Sequence, residues 1–201
     1  VQEIRYNIYN DVALKILNNE VTLKRIKIKF EDELSKSVLK ENTSSPLAWA
    51  QHAHANNLWY PITIFNNNKP EVYISYGSEY IVVSFLDKRL FEIMSLTYKK
   101  VDENRLFLMK IYLREYNGIA QKPLQDLKND KKILFTEDGS LTVTTNEFIR
   151  NETVTVVEDI VESAEKVNVS HNWIEAPAFG NYDSLCEYNK ILKKGDLLQK
   201  I

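Results

Sequence analysis

With 201 residues, a formal charge of −2 and one cysteine, the chain is long enough to bury a substantial core and has no global pull toward nucleic acid or an anionic membrane. The single cysteine excludes an internal disulfide and a cysteine-rich zinc site, while 44% apolar and 27% charged residues describe a folded globular chain and not a disordered one. The opening VQEIRYNIYNDVALKIL lacks a basic segment followed by a continuous apolar stretch, and no run nears the roughly 18 apolar residues of a spanning helix, so a cytoplasmic protein without membrane association is expected.

Val12, Ala13, Ile16 and Leu17 recur at helical spacing. The run VTLKRIKIKF that follows changes phase at Lys24-Arg25, which predicts a strand with a β-bulge before Ile26, Ile28 and Phe30 resume one face. Lys27 and Lys29 then protect the opposite face, and with no aromatic residue between them they do not make a nucleic-acid patch. Leu34, Val38 and Leu39 return to helix spacing. Thr43-Ser44-Ser45-Pro46 is a helix start, leading into LAWAQHAHANNL.

From Trp59 to Tyr116 the period becomes two, in strand-like runs punctuated by NNNKP, GSE and KKVDEN: an antiparallel meander. Residues 117–131 are polar and carry Gly118 and Pro123, giving a loop with one helical turn and the best subdomain boundary in what is expected to be a single α+β domain over 1–201. Asp138-Gly139, between two apolar runs, signals a hairpin. The stretch NETVTVVEDIVESAEKVNVSHNWIE favours strand at its start, while VVEDIVESAEKV also admits a helix. Pro177 and Gly180 then shape a loop before a closing helix over Tyr182–Leu192. The fold class expected is therefore α+β, an antiparallel meander flanked by helices at the N- and C-termini.

No catalytic signature emerges. The chain has no G-x-S-x-G, no C-x-x-C and no glycine-rich phosphate loop, and Cys186, in the closing helix, reads as a small core residue. His52-x-His54 is the only close histidine pair. With His171 it defines an alternative, a metal-dependent hydrolase or nuclease, although residues two apart diverge on a helix and the helical zinc pair H-E-x-x-H is absent. No cofactor and no metal are expected.

What remains is surface character. Glu152, Glu158, Asp159, Glu162 and Glu165 form an acidic band without a cation until Lys166, just ahead of an aromatic loop holding Trp173, Phe179 and Tyr182 among Glu175, Asp183 and Glu187. Acids that speed encounter beside aromatic anchors suit the docking of a basic protein. The plainer reading is that Trp173 and Phe179 belong to the core and the acids serve solubility. The closing pattern HNWIEAPAFGNYDSLCEYNKIL resembles segments of small bacterial immunity proteins that protect against polymorphic or contact-dependent toxins. The resemblance implies a cytoplasmic, non-enzymatic α+β protein that neutralises a cognate toxin. The candidate contact residues are Glu158, Asp159, Glu162, Glu165, Trp173, Glu175, Phe179, Tyr182 and Asp183.

Overall fold

The computed structural model, which describes residues 2–150, 154–162 and 166–187, begins with strand β1 (Gln2–Arg5) and a small hairpin of β2 (Tyr9–Asn10) and β3 (Lys15–Ile16). The hairpin replaces the helix expected from Val12 to Leu17. The Asn10 side chain accepts from the N–H groups of Val12 (3.1 Å) and Ala13 (3.0 Å), Leu14 takes φ +49°, and Val12 is 89% exposed. An asparagine bonded to the backbone two residues on favours a turn over a helix.

The run read as a bulged strand is instead helix α1 (Asn19–Phe30). Asn18 caps it by accepting from the Val21 N–H at 2.9 Å, and Glu20 in the first turn with Lys27 and Lys29 in the last complement the helix dipole. Its buried residues, Thr22, Ile26 and Phe30, recur every fourth position. Ile28, which supplied the apparent alternation with Ile26 and Phe30, is 56% exposed. Helices α2 (Lys36–Asn42) and α3 (Pro46–Ala55) follow, α3 capped by the Ser45 hydroxyl, which accepts from Ala48 N–H at 3.1 Å. Trp49 is fully buried, lies 4.9 Å from the Phe30 ring and donates its indole N–H to the Trp59 carbonyl at 3.1 Å.

Contacts divide the chain into two compact units, Val1–Phe91 and Glu92–Ile201. In the first, β4 (Tyr60–Asn66), β5 (Lys69–Tyr76) and β6 (Tyr80–Leu86) join β1 in the antiparallel order β1-β4-β5-β6. Asn67 and Asn68, both at positive φ, make the two-residue turn between β4 and β5.

The second unit contains β7 (Glu92–Lys100), β8 (Arg105–Tyr116), the single turn α4 (Pro123–Asp126), β9 (Leu127–Phe135), β10 (Leu141–Arg150), β11 (Val154–Glu162), β12 (Trp173–Glu175) and α5 (Asp183–Cys186). Its strand order is β7-β8-β9-β10-β11, all antiparallel. The α+β class and the antiparallel meander thus match the sequence reading, and the ambiguous VVEDIVE stretch is strand. Residues 188–192 of the expected closing helix lie outside the described residues. Registers align Leu96 with Ile111, Ile111 with Ile133 and Ile133 with Val143, so one apolar row of buried side chains crosses four strands. The loop before β9 is braced by the buried Asp126, whose carboxylate accepts from the N–H groups of Gly118 (2.9 Å), Ile119 (2.8 Å) and Ala120 (2.8 Å). Among the described residues no helix is long and apolar enough to cross a membrane.

Candidate functional site

Strand β11 ends the sheet order of the second unit and pairs β10 in unbroken register from Thr142↔Glu162 to Arg150↔Val154. That register sets Glu158 opposite Asn146, Asp159 opposite Thr145 and Glu162 opposite Thr142, so none of the three acids faces a cation across the ladder. All three are exposed, and the nine residues VTVVEDIVE contain no lysine or arginine. Alternation sends Glu158 and Glu162 to one sheet face and Asp159 to the other. The acidity therefore lies along the strand and not on one side of it. Glu152 and Glu165, which the sequence reading placed in the same band, lie outside the described residues.

The strand also exposes apolar surface that sequence reasoning missed. Val156 (51%), Val157 (49%), Ile160 (57%) and Val161 (52%) are open to solvent. Val161 sits opposite Val143, so the buried row that runs from Leu96 to Val143 continues into the open at β11. A signal was present in the sequence: apolar residues in adjacent pairs, Val156-Val157 and Ile160-Val161, put aliphatics on both faces of a strand. A core-edge strand with one solvated face would alternate instead.

The aromatic loop is built differently. Residues 110–116 of β8 pair β9, while Arg105–Phe107 pair β12 on the same side, so β9 and β12 share one edge of β8. The chain reaches that position from β11 by crossing the β9–β10 turn, where Val167 N–H donates to the Gly139 carbonyl at 2.9 Å and Lys166 pairs with Asp138. Buried Asn172 then donates to the Leu108 carbonyl at 2.8 Å and fixes the start of β12. Trp173 is half-buried, 4.9 Å from the Phe107 ring with the Arg105 guanidinium 5.7 Å from its own centroid. Arg105 is held in turn by Asp102 at 2.7 Å.

Pro177 is buried, Gly180 turns the chain at φ +83°, and Phe179 is half-buried. Tyr182 is 1% exposed and packs in the interior with Leu185, so its ring is core and not contact surface. Glu175 and Asp183 are exposed. The acidic strand and the Trp173 loop do not form one stripe: β11 stands two strand positions beyond the β9–β12 column, about 10 Å at ordinary strand spacing.

The three-histidine alternative fails on geometry. Among the described residues no three His, Cys, Asp or Glu side chains gather to hold a metal ion. His52 and His54 lie on α3, where a spacing of two points them apart, and each already has a neighbour: His54 Nδ1 is 2.8 Å from the Tyr60 hydroxyl and His52 Nδ1 is 3.3 Å from Asn56 Nδ2. His171 sits in the short 3-10 turn Ser170–Asn172. Burial, reinforced by the Asp183 charge, pushes the Cys186 thiol up to about 12, far from the thiolate a nucleophile needs.

No protein-family model matches the chain, and comparison with curated proteins and with solved structures finds no match either.

Proposed function

We propose that this protein is a non-enzymatic binding protein of the immunity or inhibitor type, which engages a cognate toxin domain through the acidic strand β11. One observation carries the reading: Glu158, Asp159 and Glu162 are exposed together on a cation-free terminal strand that also exposes Val156, Val157, Ile160 and Val161. Exposed aliphatics rimmed by like charges have the composition of a docking surface, with apolar contacts holding what charge attracts. The complementary partner surface is basic. Trp173 is engaged by Phe107 and Arg105 and contributes at most its open flank.

The test is co-expression with a toxin domain encoded beside this gene. Copurification and rescue of growth by the wild-type chain, with both lost in the E158K/D159K/E162K variant, is the expected result. Rescue that survives the triple reversal would move the site away from β11, and no complex with rescue absent would remove the immunity reading.

A further inference from the structure

The outer side of β11 has no strand beside it among the described residues, and the backbone there follows directly from the ladder. An antiparallel strand bonded on one side directs alternate N–H and C=O groups to the other. β11 pairs β10 along all nine of its residues without a bulge, so its outer side presents a regular row of donors and acceptors.

Natural proteins protect such an edge with lysine, proline, a bulge or shortness. Elsewhere this chain does so. β1 has four residues and carries the Arg5–Glu3 ion pair, and β12 has three residues. β11 has nine, with no lysine, proline or bulge, and four of its seven residues from Val156 to Glu162 are exposed aliphatics. Its only charges are of one sign. Two copies of β11 paired along their full length about a two-fold axis would set Glu158 directly against its own copy and Asp159 diagonal to its own, which is destabilising. An edge left open, apolar and uniformly acidic fits a basic extended segment better than a second copy of itself.

We infer that β11 accepts an added strand: an extended segment of a basic partner pairs antiparallel with its outer side. This rests on the reading of β11 as the docking surface and adds the mode of binding and the chemistry of the segment. Directly opposed side chains on neighbouring strands share a face and interact pairwise. The register of complementarity can therefore be written down. Opposite Glu162, Val161, Ile160, Asp159, Glu158, Val157 and Val156, in that order, the partner strand from its N-terminus presents one cation, two aliphatics, two cations and two aliphatics. Backbone bonds supply the mode of attachment and the side-chain order supplies specificity.

The probe is the capped heptapeptide Lys-Val-Ile-Lys-Lys-Val-Val, with a second peptide of the same sequence N-methylated at alternate residues on its pairing edge, each titrated into the full chain. The expected results are one-to-one binding of the first peptide, at least tenfold weaker binding of the methylated one, and slowed hydrogen exchange at alternate β11 amides only. Binding should fall at least tenfold in E158K/D159K/E162K. Equal affinity for the two peptides, or binding without amide protection, overturns strand addition while leaving β11 as an acidic docking surface. No binding of the first peptide overturns the inference outright, whether or not the toxin complex forms. Two arms identify other occupants. A concentration-dependent dimer that the peptide dissolves assigns the edge to a second copy. Peptide binding gained only when Lys190, Lys193 and Lys194 are changed to Glu in the full chain assigns it to the chain's own lysine-bearing C-terminal sequence. Either result overturns the basic-partner assignment.

Discussion

Replacing Gly139 by alanine probes how the chain returns from β11 toward β8. Gly139 takes φ +87° in the β9–β10 turn, and a Cβ there would lie 2.6 Å from the Val167 carbonyl oxygen. The left-handed backbone alone costs an L-residue about 1–2 kcal/mol. The close approach is to backbone, so the Val167 segment must move. The 2.9 Å bond from Val167 N–H to the Gly139 carbonyl is then strained or lost, a further ~0.5–1.5 kcal/mol. Gly118→Ala is the matched control, since Gly118 has φ +82° but a Cβ added there would meet nothing within 4 Å. Urea unfolding followed by tryptophan fluorescence compares the two through their midpoints at a common slope. Gly139→Ala should lose about 1 kcal/mol more than Gly118→Ala, the difference being the contact with Val167. Equal losses would refute the claim that this contact anchors the segment after β11.

Asp126→Ala removes the acceptor for three consecutive backbone N–H groups and should cost about 2–4 kcal/mol, with Asp126→Asn intermediate. Faster exchange at the amides of Gly118, Ile119 and Ala120 is the local readout, and equal effects of the two substitutions would contradict the carboxylate's role. Cys186 is half-buried and should alkylate with iodoacetamide at pH 8 far more slowly than a free thiol, because desolvation holds it protonated up to about 12 against an ordinary 9.0. Labelling of the native protein as fast as a free thiol would contradict that protonated state. The same shift fixes the sign of its pH dependence. Below pH 9 the thiol is protonated folded and unfolded and its contribution is intact; from 9 to about 12 only the unfolded chain ionises, so stability falls as pH rises. Cys186→Ala should flatten that alkaline loss of melting temperature, and an unchanged slope would assign it to other groups. Trp173→Ala should lower stability through its Phe107 and Arg105 contacts by about 2–3 kcal/mol while changing affinity for a β11 partner less than threefold; a larger affinity loss would return Trp173 to the interface.

The meander was legible because apolar strand runs are separated by short turns, Asn67-Asn68 at positive φ among them, although burial alternates clearly only along β5 and β4 is buried on both faces. α3 was legible from the Ser45 cap and Pro46. α1 was not, since Ile26, Ile28 and Phe30 satisfy a period of two as well as Thr22, Ile26 and Phe30 satisfy a helix; packing decided, burying Ile26 and leaving Ile28 out. The turn at Asn10 defeated the helical spacing of Val12 to Leu17 through side-chain bonds that no periodicity records. At the candidate site, the acids of β11 could be read from the sequence, but their place at the sheet's end depends on strand order, which composition does not contain. Tyr182 illustrates the converse: an aromatic residue in a polar loop whose burial follows from tertiary packing alone.

The central claim is that β11 and its charges, and not the protein's overall charge, engage the partner. Glu31, Asp32 and Glu33 are three consecutive exposed acids in the first unit, so E31K/D32K/E33K changes net charge by the same amount as E158K/D159K/E162K. Each reversal at a contact is worth about 1 kcal/mol, or roughly 100-fold in Kd for three. Calorimetric titration of a purified cognate toxin domain with the wild-type chain and both variants is the direct measurement. A loss of about 100-fold for the β11 variant, with the Glu31–Glu33 variant within about threefold of wild type, is the predicted result. Equal losses in the two variants, or full affinity after reversal of β11, would contradict it.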